Sequence, residues 1–288
     1  MRDIRAEIEN INEIFSPPTV LTEIMDQLGK EDSTIQNVTN LIEVDPVLTA
    51  GILRAVNSPF YGLRWRVTSV ANAIGLLGLT ETSKLLLAFF LKQKLFTLTS
   101  VQREYLEKLW NHSINTAYIA HLIAQEYLIP NAGKEFTASL LHDMGKIVLV
   151  EYFPTELDTT RRMVKELEQT DTQAESQVLA IAHTEIGGLL AEKWKLPADY
   201  VEVMKLHHTP DQAERNPELT SLVRFADLVS ELWGLGIGEQ PETTLFENDE
   251  SFALLSRHEP KLKAKTLSEV IDHLSATYVE QKGFVGLF

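Results

Sequence analysis

Cysteine is absent from all 288 residues. That removes disulfides, thiolate metal sites and cysteine nucleophiles together, leaving imidazole and carboxylate as the side chains able to hold a transition metal. Positive charge is scarce: 26 Lys and Arg stand against 41 Asp and Glu, a net charge of -15. Such a surface repels phosphate backbones and anionic bilayers, so neither nucleic acid nor membrane is an expected partner. The one basic-aromatic trio, Arg64, Trp65 and Arg66, reads as a solvated turn with one buried ring. Long apolar runs are missing too. The richest, Leu85 to Leu91 between Lys84 and Lys92, falls far short of the roughly 20 residues that span a bilayer and reads as a core helix. The first residues lack the apolar segment of a signal peptide, which with the absent cysteine predicts a cytoplasmic protein.

Hydrophobic residues at 44% suffice for a sizeable core, so the chain is expected to fold as an ordinary globular protein. Apolar residues recur at helical spacing almost throughout, without convincing period-two strands, and predict an all-α, two-lobed molecule. Asp45-Pro46 sets a capping carboxylate before a proline and opens a helix through about Asn57. Ser69 caps the next, carrying Val70, Ala73, Ile74 and Leu77 on one face, and Gly78 is where it should stop; Thr80 and Glu81 begin another. Periodicity lapses between Lys94 and Gln102, and Gly234-Leu235-Gly236-Ile237-Gly238 is a second break. The resulting division is a helical lobe at 1–100, a second at 101–235 and a helical extension at 236–288. Helices in the last two are expected near 103–128, 135–144, 173–193, 198–208, 218–233, 248–256 and 266–281.

The second lobe places His or Asp on the apolar side of successive helices. His112 shares a face with Tyr105, Leu109, Thr116 and Ile119, whereas His121 points the opposite way and reads as exposed. His142 and Asp143 follow an apolar turn, and such a pair can ligate one metal or bridge two through the carboxylate. His183 lies over Leu179, Ile186 and Leu190; His207-His208 ends a short helix; Asp227 follows Val223 by one turn. Seven candidate ligands exceed what one ion with an open position needs, so two ions sharing a carboxylate fit the count better. Iron, manganese, zinc and cobalt all suit this donor mixture. Read blandly, the same residues form a hydrogen-bonded core network, and Lys146 serves a helix dipole rather than facing a phosphate.

The order His112, His142-Asp143, Asp227 resembles the HD superfamily of metal-dependent phosphohydrolases. His183 and His207-His208 are similar to the extra histidines of its binuclear members. The first lobe narrows the likeness to the HD-related output domain, HDOD, family. It does so through Ser16-Pro17-Pro18, Val44-Asp45-Pro46, Asn57-Ser58-Pro59-Phe60-Tyr61-Gly62 and the stretch Ser69 to Gly78, joined later by His183-Thr184-Glu185-Ile186-Gly187 and Trp194-Lys195-Leu196-Pro197. Asn57 and Gly62 read as suited to left-handed conformations. The resemblance covers roughly residues 10 to 230 and implies an HD-type helical bundle as the second lobe. It also implies that all seven residues are ligands, that Asp143 bridges, and that Lys146 contacts a substrate phosphate.

Two departures limit the chemistry that the resemblance implies. Thr209-Pro210-Asp211 replaces the Gly-Tyr-Pro loop of the cyclic di-GMP phosphodiesterases, so hydrolysis of that dinucleotide is not implied. Lys108, one turn before His112, stands where trinuclear members carry a glutamate, and its charge would oppose a third cation. Three functions therefore compete. The first is a bacterial regulatory protein answering to a signalling protein or small nucleotide signal; the second is a metal-dependent phosphohydrolase with Asp143 and Lys146 as catalytic groups; the third is a metal-free scaffold.

Overall fold

The computed structural model describes Glu7 and residues 34–58, 61, 63–95, 103–129, 134–167, 169–194, 196–237 and 249–281. Ser16-Pro17-Pro18, Pro59, Phe60, Gly62, Lys195 and most of the expected boundary at Lys94 to Gln102 lie outside them. Every regular element among the described residues is helical. None of these helices is long and apolar enough to cross a membrane. Two compact units result, one within 15–97 and 276–288, the other within 98–275 and 1–14.

In the first unit, α1 (Ile35–Glu43) starts at Thr34, whose hydroxyl accepts from Asn37 N. Helix α2 (Pro46–Val56) starts at Asp45, whose carboxylate accepts from Val47 N and Leu48 N, the cap expected ahead of a proline. Helix α3 (Val70–Leu95) breaks at Gly78, where φ 76° and ψ 167° divide it into the two helices that the sequence pattern separates. Helices α2 and α3 approach closely because Gly51 has no side chain; a Cβ there would lie 2.9 Å from the Phe89 ring. Asn57 is not left-handed. Its φ is -85°, and it works through its side chain instead. Nδ2 donates to Leu53 O and Val67 O, while Oδ1 accepts from Val67 N at 2.7 Å, clamping the intervening turn. Trp65, expected to bury its ring in that turn, is 63% exposed.

The second unit comprises α4 (Arg103–Tyr127), α5 (Lys134–Leu141), α6 (Met144–Tyr152), α7 (Pro154–Leu167), α8 (Asp171–Leu179), α9 (His183–Lys193), α10 (Ala198–Leu206) and α11 (Pro217–Leu232). Helices α12 (Ser251–His258) and α13 (Pro260–Lys263) follow, then α14 (Leu267–Gln281), whose last residues belong to the first unit. Helix α4 packs on α5 and α11, α6 on α9, α9 on α10, and α12 on α11. Tyr118, Phe136, Phe153 and Phe225 are fully buried among them, each stabilising the unit by roughly 2–3 kcal/mol.

Two departures from the expected pattern shape the site. The stretch after Gly145, to which periodicity assigns no helix, is almost wholly helical as α6 and α7. The helix expected over 173–193 is two helices, because Ala180 adopts φ 57° and ends α8 with its N–H on Ser176 O. Leu179 and His183 therefore share no helix face.

Candidate metal centre

Each candidate ligand is placed by a helix or a helix junction. His112 lies midway along α4 and Asp227 on α11, the two long helices that pack together. His142 and Asp143 form the junction between α5 and α6. Asp143 occupies the N-cap position of α6 but makes no capping bond, so its carboxylate is free to face inward. His183 opens α9, and His207 and His208 close α10. The glycines of His142-Asp143-Met144-Gly145 and His183-Thr184-Glu185-Ile186-Gly187 have a shared cause. A Cβ on Gly145 would overlap the His183 carbonyl oxygen and lie 2.9 Å from Gly187 N, so α6 and α9 meet backbone to backbone at the cluster.

All seven predicted residues converge. His112, His142, Asp143, His183, His207 and Asp227 are buried, and His208 is half-buried. Potential ligand atoms within each of three groups lie within 4.8 Å of one another: His112, His142 and Asp227; His142, Asp143 and His207; His183, His207 and His208. The Asp143 carboxylate stands between two sets. Its Oδ2 lies 3.7 Å from His112 Nε2 and 3.6 Å from His142 Nε2, while Oδ1 lies 3.3 Å from His183 Nε2 and 3.7 Å from His207 Nε2. Asp227 Oδ1 completes the first set, 3.0 Å from His112 Nε2 and 3.6 Å from His142 Nε2.

Whether these residues suit metal ions can be judged from their unused atoms. A hydrogen-bonded core network would pair its buried polar atoms. Here His142 Nε2, His183 Nε2, His207 Nε2, His208 Nε2 and Asp143 Oδ1 are buried without a hydrogen-bond partner. Three of those rings are fixed from the other side: His142 Nδ1 donates to Ser139 O at 2.6 Å, His207 Nδ1 to Val203 O at 3.2 Å, and His183 Nδ1 to Glu175 Oε2 at 2.7 Å. A proton on Nδ1 leaves the Nε2 lone pair aimed inward, which is how metal-binding imidazoles are oriented. The donor set fits.

Burial and neighbouring charge set the protonation of the metal-free cluster. Burial alone would raise the Asp143 carboxyl, but Lys146 and the surrounding imidazoles hold it well below the usual carboxylate range. Burial opposes protonation of His183, yet the Glu175 carboxylate outweighs it and lifts the imidazole to about 9. His207 is pushed down to about 4, chiefly by burial. Lys146 Nζ donates to both Asp143 Oδ2 and Asp171 Oδ2 at 2.9 Å and is itself buried, so both observed contacts are to carboxylates of the protein. Lys108 is exposed and pairs with Glu104 at 2.9 Å, so it contributes no ligand. His121, expected on an exposed face, is half-buried, with Nδ1 3.0 Å from the buried Glu135 carboxylate.

Sequence reasoning missed the residues that hold the ligands in place. Glu175, Asp171, Ser230, Arg224 and Asp249 all act here. Ser230 Oγ lies 3.4 Å from His112 Nδ1, and Arg224 reaches Asp227, His208 and Asp249. Arg224 and Asp227 are spaced for one helix face, and that pairing was the one visible signal.

This is an all-α protein whose second unit carries a buried His/Asp cluster. The HDOD domain family matches residues 14–210, and the chain belongs to that family. An uncharacterized protein of Treponema pallidum (strain Nichols) is 26% identical over 225 residues, covering 76% of this chain and 42% of that protein. The chain thus spans less than half the length of that relative. Among solved structures, an HDOD domain protein of unknown function from Geobacter sulfurreducens is 27% identical. It superposes with a TM-score of 0.81 over 99% of this chain and 96% of its own. A candidate phosphohydrolase from Shewanella amazonensis SB2B, 21% identical, shares the fold with a TM-score of 0.71 over 99% and 97% of the two chains.

Proposed function

We propose that this chain is a cytoplasmic signal-transduction protein of the HDOD family whose cluster holds two divalent transition-metal ions. The observation that carries this reading is the Asp143 carboxylate, each oxygen of which faces its own pair of imidazole nitrogens. One ion would take His112, His142, Asp227 and Asp143 Oδ2. The other would take His183, His207 and Asp143 Oδ1, with His208 beside them. Iron, manganese, zinc and cobalt suit the set. Such ions activate water and neutralise charge on phosphoryl oxygens. The partner this chemistry would recognise is a phosphate-bearing nucleotide signal, with a signalling protein reading out the result.

The chain's own groups keep the centre in shape. Lys146 holds Asp143 between the two sets, and Glu175 and Ser139 fix the tautomers of His183 and His142. Lys146 therefore acts through Asp143, as a positioning residue rather than a direct phosphate contact. A second reading, metal-dependent phosphohydrolysis, gains support from the complete set of buried imidazole and carboxylate donors and from the likeness to a candidate phosphohydrolase.

The deciding experiment is elemental analysis of untagged protein purified without chelator, wild type beside Asp143→Ala. About two equivalents in the wild type, lost in the variant, is the expected result for a bridged pair. No metal after reconstitution with iron, manganese, zinc or cobalt would sink the proposal. A phosphoester screen on metal-replete protein then separates the readings, since turnover abolished by His142→Ala would establish an enzyme.

A further inference from the structure

Arg224 is held on three sides. Its Nε donates to Asp249 Oδ2 at 2.9 Å, and its NH1 donates to Asp227 Oδ2 at 2.9 Å and lies 3.0 Å from His208 Nδ1. The guanidinium is buried, and two carboxylates fix its position. It can only donate. His208 Nδ1 must therefore accept, which places the ring's hydrogen on Nε2. Turning the ring about its Cβ–Cγ bond would aim a C–H at the guanidinium and lose that hydrogen bond. His208 Nε2 is buried, has no hydrogen-bond partner, and belongs to a ring 4.3 Å from that of His207 and 5.2 Å from that of His183. His142, His183 and His207 show the opposite pattern, each with a hydrogen on Nδ1 facing an acceptor oxygen, so that Nε2 is the nitrogen able to meet a metal.

We infer that His208 is not a metal ligand but a fixed Nε2–H donor that meets an oxyanion, of the phosphate class, bound at the centre. This rests on the binuclear reading above. A protonated ring nitrogen offers a metal no lone pair, and a buried N–H left without an acceptor is costly. An oxygen of a bound phosphoryl group satisfies it. The two positions would then differ: His112, His142, Asp227 and Asp143 Oδ2 would hold one ion with four donors, and His183, His207 and Asp143 Oδ1 would hold the other with three, leaving a place for the oxyanion beside the His208 N–H. Three protein ligands with one open position is the arrangement of sites that bind an exchangeable oxygen ligand.

The test is the histidine ¹H–¹⁵N spectrum of metal-free and zinc-loaded protein, with the His208 signals assigned by their loss in His208→Phe. Hydrogen on Nε2 and none on Nδ1, in both states, is expected. Loss of the Nε2 hydrogen on zinc loading overturns the inference. In a parallel zinc titration, His208→Phe should bind as many ions as wild type and His207→Phe fewer; an equal loss in both also overturns it. Inorganic phosphate should bind zinc-loaded His208→Phe about tenfold more weakly than wild type, the scale of one hydrogen bond to a charged group. Unchanged phosphate binding removes the donor role. If wild type takes up no zinc, the binuclear reading fails, while the metal-free spectrum still decides the His208 tautomer.

Discussion

Glu175 Oε2 accepts two hydrogen bonds from His183, one from its backbone N and one from its Nδ1, each 2.7 Å long. The first satisfies an N–H at the start of α9, and the second fixes the ring so that Nε2 points at Asp143. Glu175→Gln keeps the size but removes the charge that raises His183. Zinc affinity at the position held by His183 and His207 should fall about 10- to 100-fold, with the other position little changed. Isothermal titration with zinc reads both steps, and equal weakening of the two would show that Glu175 supports the fold rather than that ligand.

Metal-free protein should be most stable near pH 6.5, with opposite slopes on either side. His207 is depressed to about 4 in the folded state against roughly 6.5 unfolded. Between these values the unfolded chain binds more protons, so stability from this residue is lost as pH falls toward 4. His183 is raised to about 9, so the folded state binds the extra proton from about 6.5 upward and its contribution is lost as pH rises through 9. Each limb should approach about 1.4 kcal/mol per pH unit at its steepest. Urea unfolding across pH in the presence of chelator measures both. Glu175→Gln should flatten the alkaline limb alone, and a limb that persists in that variant would assign the proton elsewhere.

Lys146 sits between Asp143 and Asp171 with all three side chains nearly dry. Lys146→Met removes the cation and leaves two buried carboxylates facing each other. Truncating one partner of such a cluster costs about 3–5 kcal/mol. Zinc, carrying positive charge to the same carboxylate, should offset part of that loss. The urea midpoint is therefore expected to drop further with chelator than with zinc. Equal drops in both conditions would mean that Asp143 does not share its charge with a metal.

His112 and Asp227 were legible because each sits on the apolar side of one helix, which periodicity reports, while His142-Asp143, His183 and His207-His208 stood out through their pairing or the motif around them. The break between α8 and α9 was not. Ala180 turns the chain at φ 57° with no glycine or proline to mark it, and Ile181 and Ala182 continue the apolar pattern across the turn. The supporting residues were hidden for a different reason. Glu175 lies 8 residues before His183, and Arg224 lies 25 before Asp249, separations at which no local rule pairs side chains. The phosphate contact of Lys146 was what the resemblance implied; its pairing with Asp143, three residues before it, is local, but its pairing with Asp171 of α8 follows from no local rule. Trp65 was misjudged because burial of an aromatic in a loop depends on what packs over it, which composition does not report.

Gly145 and Gly75 offer opposite outcomes for one substitution. A Cβ on Gly145 would collide with the backbone of His183 and crowd Gly187 N, and a backbone cannot swing aside as a side chain can. Gly145→Ala should force α6 and α9 apart, costing at least about 3 kcal/mol, and should displace Asp143 relative to His183 so that zinc binding weakens as well. Gly75 lies exposed within the first part of α3, and nothing stands within 4 Å of a Cβ placed there. Gly75→Ala should therefore stabilise the chain by about 0.5–1 kcal/mol through helix propensity and leave zinc binding unchanged. Thermal melts and zinc titrations of the pair check the assignment. A Gly145→Ala protein that melts and binds zinc like wild type would show that the two helices do not depend on backbone contact to set the spacing of the cluster.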